Sequence, residues 1–245
     1  MALKHLPLTI IVAATPHNGI GRQGSLPWPM LKKEMAYFAR VTKRVPTLTN
    51  SGLPPSDAWK QTNLEGRRQN VVIMGRKTWE SIPPKFRPLK DRINVVISSQ
   101  QREALGDVPS EVVVQPDILS GLAKVEQLVK AGEVFPVGRV YVIGGARIYK
   151  AALELPQTKS ILMTRIHTDY PCDTFFPCAL DTFNSGWQRK SREDLARYVG
   201  EDIPLEPLTE NDGENEISYE FRLYERTRMH CILPYSRLEQ NDSTP

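Results

Sequence analysis

Apolar residues occur along this chain in two forms, as short runs and as stripes at helical spacing. The runs lie within residues 8–14, 70–74, 93–98, 137–143 and 160–166, and their length suits strands buried on both faces of a parallel sheet. Stripes with a spacing of three or four residues follow at 30–41 and 116–131, which predicts amphipathic helices. Strands that alternate with helices predict an α/β fold, doubly wound around a mostly parallel central sheet with helices on both faces.

The C-terminal third has a different pattern. Residues 217–225 alternate between apolar and polar positions, which predicts an antiparallel edge strand. Residues 189–197 are highly charged and 201–216 are acidic with prolines, so we predict a solvent-exposed excursion there.

The pattern also predicts the domain organisation. We expect one domain over residues 1–227, with inserted segments near 45–68 and 196–216 that lack clear periodicity. The tail at 228–245 has no periodic pattern either, which is compatible with disorder.

A glycine-rich loop follows the first predicted strand. Its three glycines between residues 19 and 24 have the spacing of a dinucleotide-binding fingerprint. Pro27 and Pro29 follow, however, where that fingerprint requires a helix, and no acid stands about 20 residues further on. We therefore interpret residues 18–28 as a flexible flap over a site, with an ordinary surface loop as the alternative.

The helix predicted after Pro29 carries an acid on its apolar side. Its stripe consists of Leu31, Met35, Phe38 and Val41. Glu34 lies at the edge of this stripe, and no basic residue stands three or four positions away to pair with it. Because a buried, unpaired carboxylate is unfavourable unless a ligand donates hydrogen bonds to it, Glu34 is a candidate ligand-binding acid. A surface glutamate is the alternative.

Two turns between a strand and a helix have the composition of phosphate sites. Residues 75–78, Gly-Arg-Lys-Thr, place two cations and a hydroxyl at a helix start. Gly144 and Gly145 precede a second helix and let a ligand approach the backbone closely. At both turns an ordinary glycine turn is the alternative.

Composition narrows the class of protein. The formal net charge is +4, too small to indicate nucleic-acid binding by itself. The three cysteines form no C-x-x-C pair, so neither a disulfide framework nor a zinc site is indicated. The four histidines are scattered, and we expect no catalytic role for them. No apolar run reaches the length of a membrane span, and we expect a cytoplasmic enzyme without a metal.

Six blocks of sequence, in one order between residues 10 and 177, resemble the dihydrofolate reductase family in its eukaryotic form. The blocks are IVAA with NGIGRQGSLPWPMLKKEMAYF, then VVIMGRKTWESIP, RPLKDRINVVIS, VYVIGGARIYKAAL, MTRI and DTFFP. The resemblance implies NADPH-dependent reduction of 7,8-dihydrofolate to 5,6,7,8-tetrahydrofolate, by hydride transfer from nicotinamide C4 to pterin C6 with protonation at N5. It also implies a role in one-carbon metabolism and in thymidylate and purine synthesis, and a monomer inhibited by antifolates.

The resemblance also implies a set of site residues. The catalytic ones are Glu34, Trp28, Leu26 and Thr164. Glu34 would accept hydrogen bonds from the pterin, with its pKa raised by burial, and Thr164 would reach Glu34 through a hydrogen bond and water. Trp28 would hold an ordered water. Whether the proton reaches N5 from Glu34 or from solvent stays open.

Ten residues are implied for substrate binding: Ile11, Val12, Met35, Phe38, Ile82, Pro83, Leu89, Arg92, Ile143 and Tyr149. Arg92 would grip the α-carboxylate of the glutamate tail with its planar guanidinium. A surface arginine paired with Asp91 or Glu34 is the alternative.

Fifteen residues are implied for NADPH binding: Ala13, Ile20, Gly21, Ser25, Gly75, Arg76, Lys77, Thr78, Ser98, Ser99, Gly144, Gly145, Ala146, Arg147 and Ile148. Arg76 and Lys77 favour NADPH over NADH because the additional phosphate needs cations. The glycine pair would be joined by a cis peptide bond. Ser99 departs from the family, which commonly has a basic residue there, and whether Arg102 compensates stays open.

Two other functions are compatible with such a fold. A reductase acting on another heterocycle, such as one in riboflavin synthesis, gives no reason for Trp28, Glu34 and Arg92 together. A catalytically silent nucleotide- or RNA-binding protein would not need the acid, the glycine pair and the arginine clamp. We expect no fused thymidylate synthase, since too few residues follow position 225 to form one.

Overall fold

The computed structural model describes residues 3–45, 68–182, 185–212 and 215–227 of the 245 in the chain. Residues 46–67 of the predicted insertion and the tail at 228–245 lie outside these ranges, so the predictions for them stay predictions.

The described ranges contain eleven strands and five α-helices. The strands are β1 Leu8–Ala14, β2 Gly19–Gly21, β3 Gln69–Gly75, β4 Arg92–Ile97, β5 Val113–Gln115, β6 Val137–Val142, β7 Thr158–Ile166, β8 Thr174–Phe175, β9 Trp187–Arg189, β10 Leu208–Asp212 and β11 Asn215–Arg226. The helices are α1 Lys32–Lys43, α2 Arg76–Ser81, α3 Ile118–Lys130, α4 Ala146–Glu154 and α5 Arg192–Val199. Short 3₁₀ turns occupy Leu3–His5, Pro84–Phe86 and Arg102–Leu105.

Nine of these strands form one sheet, in the order β10-β11-β7-β1-β6-β3-β4-β5, with β9 also paired to β11. The pairs from β7 to β5 are all parallel, and β11 runs antiparallel to β7. The predicted fold class is therefore confirmed. β2 and β8 pair separately as a small antiparallel sheet.

Helices cover both faces of the large sheet because successive residues of its strands point to opposite sides. Along β1, Ile11 packs on the face covered by α1, α2 and α5, whereas Val12 packs on the face covered by α3 and α4. Trp79 of α2 and Leu122 of α3 are buried in these two layers, at 1% and 0% exposure. Burial of side chains of this size stabilises the fold by roughly 1.5–3 kcal/mol each.

The segment predicted as a solvent-exposed excursion is mostly exposed, but it contains regular secondary structure that the sequence pattern did not predict. Residues Arg192–Val199 form α5, whose N-cap, Ser191, accepts a hydrogen bond from Asp194 N at 3.1 Å. Leu195 and Val199 lie one turn apart on its inner face and are buried. Leu208–Asp212 then forms β10, antiparallel to β11, so the antiparallel edge extends further than predicted. The apolar stripe of α5 is narrow and lies among charged residues, so the sequence pattern did not show it. An acidic composition disfavours strands, but the pairing of β10 with β11 outweighs that preference.

The buried face of α1 differs from the predicted stripe. Leu31 and Val41 are buried as predicted, but Tyr37 is buried at 3% exposure and Met35 is exposed at 44%. Phe38 is half-buried. Residues three and four positions after Leu31 can both lie on the same face of the helix as Leu31. In this structure Glu34, and after it Tyr37, face the interior, whereas Met35 does not. The helix begins at Lys32, two residues later than predicted.

The predicted flap begins as an ordered strand. β2 pairs with β8, and a Cβ added at Gly19 would collide with Cys172 Sγ, so only glycine allows this close approach. The chain then turns back through Gln23 and Gly24, both with positive φ, of 51° and 79°.

Candidate active site

A buried carboxylate lies at the carboxyl ends of the central strands. Glu34, on the first turn of α1, is 8% exposed and accepts a hydrogen bond of 3.0 Å from Thr164 Oγ1 of β7. Burial raises the pKa of Glu34 to about 7; the Thr164 hydrogen bond opposes this, and the negative charge of Glu210 adds to it. The predicted burial and raised pKa are both confirmed. Ala13 is the β1 neighbour of Thr164 in register, so it borders the same spot.

Tyr149 connects this acid region to the glycine pair. Its hydroxyl donates a 2.9 Å hydrogen bond to the carbonyl of Ile11, and burial, together with the charge of Glu34, raises its pKa. It therefore remains a neutral donor at physiological pH. A Cβ added at Gly144 would lie 3.1 Å from the Tyr149 hydroxyl, so the tyrosine also packs directly on the turn between β6 and α4.

An apolar wall and one arginine lie beside α1. Ile11, Phe38, Ile82, Leu89 and Ile143 pack in one cluster on the α1 face of the sheet. Pro83 precedes the 3₁₀ turn that follows Ile82, and Met35 is exposed on α1. The Val12 side chain, in contrast, packs on the opposite face, so only its backbone faces this region.

Arg92 is held in place at the start of β4. Its Nη1 donates to Thr42 Oγ1 at 2.7 Å, its Nε donates to the Lys90 carbonyl at 3.0 Å, and its Cζ lies 6.0 Å from the Phe38 ring centroid. Burial lowers the pKa of Arg92 to about 10, which still leaves it charged at neutral pH. Asp91, the alternative partner, instead pairs with Lys43 at 3.1 Å. In the described ranges no hydrogen bond involves Nη2 of Arg92, which leaves that nitrogen for a ligand.

The two glycine turns meet at the neighbouring ends of β3 and β6. Gly75 N donates to Gly144 O at 2.7 Å, and the Gly144–Gly145 peptide bond is cis, as the resemblance implied. Gly144 has a φ of 116°, which favours glycine. Gly75 and Gly145 are the N-caps of α2 and α4, and neither helix start receives a side-chain hydrogen bond.

This turn region suits the phosphates of NADPH. A Cβ at Gly145 would be 3.5 Å from Thr78 Oγ1, so the missing side chain leaves a cradle between two helix starts whose N–H groups can bind anions. Ala146, Arg147 and Ile148 form the first turn of α4. Lys77 is exposed, and Arg76 forms an ion pair of 2.8 Å with Glu80 on the surface. The residues at these two turns therefore fit the phosphates of NADPH.

Ser98 and Ser99 follow β4 at the same edge of the sheet. Ser98 N donates to Gln115 O at 2.9 Å, its Oγ accepts from Gln100 N at 3.0 Å, and Ser99 is exposed. Arg102, the candidate to replace the missing basic residue, is engaged in other contacts. Its guanidinium donates to the carbonyls of Val108 and Pro109, at 3.2 and 2.9 Å, and to that of Val112, so it closes its own loop.

Contacts at both ends of the flap hold its residues in place. Ile20 packs against the core cluster on the face covered by α3 and α4, and Gly21 lies in β2. Ser25 closes a turn with Arg22 through hydrogen bonds of 2.9 and 3.0 Å, and Leu26 is exposed at 52%. Trp28 is buried at 5% exposure and packs with Leu31 against β7 and β11.

Three residues near the site were not predicted from the sequence. Arg165 is 6% exposed and donates to Thr15 O at 2.5 Å and Asn18 Oδ1 at 3.0 Å, which holds the base of the flap. A charge within an apolar strand was an available signal for it. Glu210 accepts a hydrogen bond from Lys33 N, 177 residues away, at the start of α1, and Tyr219 donates to Glu210 from the neighbouring strand, so neither residue offered a local signal.

The described residues contain no group of three or more His, Cys, Asp or Glu residues that could hold a metal ion. None of the helices they form is long and apolar enough to span a membrane.

The fold and the site define a nucleotide-dependent α/β oxidoreductase with a buried acid. A family model described as dihydrofolate reductase matches residues 65–226. The dihydrofolate reductase of Pneumocystis carinii is 40% identical over 221 residues, which cover 89% of this chain and 96% of that protein. The enzyme of Rattus norvegicus is 36% identical, with coverage of 90% and 97%. The solved structure of Schistosoma mansoni dihydrofolate reductase superposes with a TM-score of 0.63 at 33% identity, covering 91% of this chain and 100% of that one.

The chain belongs to the dihydrofolate reductase family. Members of this family are oxidoreductases that reduce dihydrofolate to tetrahydrofolate with NADPH, act as monomers and are inhibited by antifolates. The predicted function, cofactor and small-molecule partners are thereby confirmed.

Proposed function

We propose that Glu34 binds and orients the pterin of 7,8-dihydrofolate while the two glycine turns hold NADPH next to it. One observation carries this assignment: Tyr149 contacts both Ile11, beside the acid region, and Gly144, in the nucleotide turn. The acid proposed to bind the substrate and the turns proposed to hold NADPH therefore lie at the same corner of the sheet. Such positioning is what hydride transfer requires, because donor and acceptor carbons must be held nearly in contact.

Glu34 is the group that recognises the pterin ring. Its carboxylate would accept hydrogen bonds from the 2-amino group and N3–H, and Thr164 holds one of its oxygens from the other side. With a pKa of about 7, Glu34 is protonated in a sizeable fraction of molecules near neutrality. It can therefore retain a proton near the substrate when N5 is to be protonated, and Trp28 would hold the water that takes part in that transfer.

The remaining residues bind the two ends of the ligands. Arg92 would grip the α-carboxylate of the substrate through the unoccupied side of its guanidinium, while Phe38, Ile82 and Leu89 line the slot for the aminobenzoyl ring. NADPH, when bound, supplies the hydride to pterin C6. Arg76, Lys77 and Thr78 would hold its phosphates, and the Gly144–Ile148 turn its diphosphate and nicotinamide.

The flap residues close the site. Ile20 and Leu26 would wall the point where the two rings meet and exclude water from it. Leu26 is 52% exposed in the structure. Its burial on binding both ligands is the expected consequence.

We also propose one catalytic domain over residues 1–227 and a cytoplasmic location. The domain assignment is supported by β1 and β11, near its two ends, which both pair with β7. The location is supported by Cys172 and Cys178, which are free thiols, as is usual in a reducing compartment.

A spectrophotometric assay of NADPH oxidation with 7,8-dihydrofolate tests the function. We expect turnover by the wild type, a sharp loss of turnover in Glu34→Gln at neutral pH, and unchanged NADPH affinity in that variant. Glu133→Gln, at an exposed carboxylate in the connection between α3 and β6, is the matched control. No NADPH oxidation by the folded wild type would refute the function, and full turnover by Glu34→Gln would remove Glu34 from the mechanism.

Binding of a diaminopyrimidine antifolate separates the remaining alternatives. Competition with dihydrofolate supports a folate site. Turnover of another heterocycle without such competition would favour the riboflavin-type reductase.

A further inference from the structure

The helix that carries Glu34 has no cap of its own. Its N-cap residue is Leu31, which offers no side-chain acceptor to the free N–H groups of the first turn. The carboxylate of Glu210, in β10, acts as the acceptor for these N–H groups instead. Glu210 accepts hydrogen bonds from Lys33 N, at 3.0 and 3.1 Å to its two oxygens, and from Glu34 N at 3.4 Å.

A third contact fixes this carboxylate. The hydroxyl of Tyr219, on the neighbouring strand β11, donates to Glu210 Oε1 at 2.6 Å. Burial opposes ionisation of Glu210, but the hydrogen bonds from Tyr219 and from the α1 backbone outweigh it and lower its pKa. Glu210 is therefore already ionised at the pH at which Glu34 titrates.

We propose that Glu210 is a positioning residue for the reaction, because its carboxylate fixes the first turn of α1, on which Glu34 stands, and places a second negative charge beside Glu34. This inference rests on the role proposed for Glu34. A capping carboxylate at a helix start satisfies free N–H groups and complements the helix dipole. Here it also determines where the pterin-binding acid lies relative to Thr164.

The other groups around Glu34 do not supply an equivalent charge. Thr164 on β7 is a neutral donor, and the phenols of Tyr37, Tyr149 and Tyr219 have pKa values raised by burial and stay protonated. The ammonium of Lys33, the residue before Glu34, donates to the carbonyl of Thr209 at 3.3 Å. In the described part of the chain, Glu210 is the charged side chain that acts on the pKa of Glu34, and it raises it.

The test separates the charge of Glu210 from its hydrogen bonds. Glu210→Gln keeps an oxygen that can accept from Tyr219 and from Lys33 N but removes the charge. Hydride transfer is followed as NADPH loss in a single turnover between pH 5 and pH 9. We expect the midpoint of the pH profile to move to lower pH by roughly half a unit, since a partly exposed like charge has been removed. Glu206→Gln, an exposed carboxylate before β10, should leave the profile unmoved.

A second variant tests the cap. In Glu210→Ala both the charge and the acceptor are lost, so we expect turnover to fall about tenfold or more with little change in the KM for NADPH, whose site lies on α2 and α4. In Glu210→Gln the turnover at low pH should approach that of the wild type. Thermal unfolding with NADPH bound checks that both variants are folded.

Two results would overturn the proposal. If Glu210→Gln has the same pH profile as the wild type, the charge does not act on Glu34. If Glu210→Ala keeps wild-type turnover, the cap does not position α1. Both differ from failure of the proposed function, in which the wild type itself would not oxidise NADPH with dihydrofolate.

Discussion

Glu34→Gln should stabilise the ligand-free enzyme at alkaline pH although it impairs catalysis. The substitution keeps the shape of the side chain and an oxygen that can accept the hydrogen bond from Thr164. It removes only the charge, whose burial without a cation is unfavourable. The substitution therefore measures how much the buried negative charge of Glu34 lowers the unfolding free energy of the ligand-free protein.

The magnitude follows from the pKa of Glu34. Burial, followed by the smaller effects of Thr164 and Glu210, raises this pKa from its ordinary 4.5 to about 7. Because the folded pKa is above the unfolded one, the protonated form stabilises the fold fully below pH 4.5, and this stability is lost as the pH rises through about 7. Relative to glutamine, Glu34 should destabilise the fold by about 1 kcal/mol at pH 5 and about 3 kcal/mol at pH 8.

Urea unfolding of both proteins without ligands, at several values between pH 5 and pH 8.5, measures this difference directly. Glu133→Gln serves as the control, since its carboxylate is exposed and its substitution should give a small difference that does not change with pH. A difference between wild type and Glu34→Gln that stays constant with pH would refute the reasoning. So would one that shrinks as the pH rises.

Three further predictions concern other parts of the site. Arg92→Leu should raise the KM for dihydrofolate at least about tenfold, the range for a lost charged hydrogen bond, and leave the KM for a pterin without the glutamate tail unchanged in the same assay. Gly144→Ala should lower stability by about 1–3 kcal/mol and weaken NADPH binding in a fluorescence titration, because its φ is 116° and its Cβ would meet the Tyr149 hydroxyl. Gly106→Ala, with a φ of 74° and open space around it, measures the backbone effect alone. Arg102→Ala should destabilise the fold without changing the KM for NADPH; a higher KM would make Arg102 a phosphate partner after all.

The parts of the site that the sequence predicts are those built from neighbouring residues. The strand at Leu8–Ala14 and the glycine turns at residues 75–78 and 144–145 depend on local composition, and the structure has all three where they were expected. Glu34 was recognisable because it lacks a local cation. These inferences need no knowledge of how distant segments pack.

Predictions failed where packing chooses between similar possibilities. Met35 and Tyr37 both suit a helical stripe that starts at Leu31, and only the position of α1 on the sheet decides that Tyr37 is buried and Met35 is exposed. For Arg102 the sequence left the role open: it stands near Ser99 in the chain, and only the structure shows that its guanidinium donates to the carbonyls of Val108 and Pro109.

The acid centre depends on contacts between segments far apart in the chain. Glu34 comes from α1, its hydrogen-bond donor Thr164 from β7, and the carboxylate that caps its helix from β10, which is held in turn by Tyr219 of β11. The two glycine turns need only β3, β6 and the helices that follow them. β10, which lies in the predicted excursion, and the predicted edge strand β11 therefore complete the surroundings of Glu34.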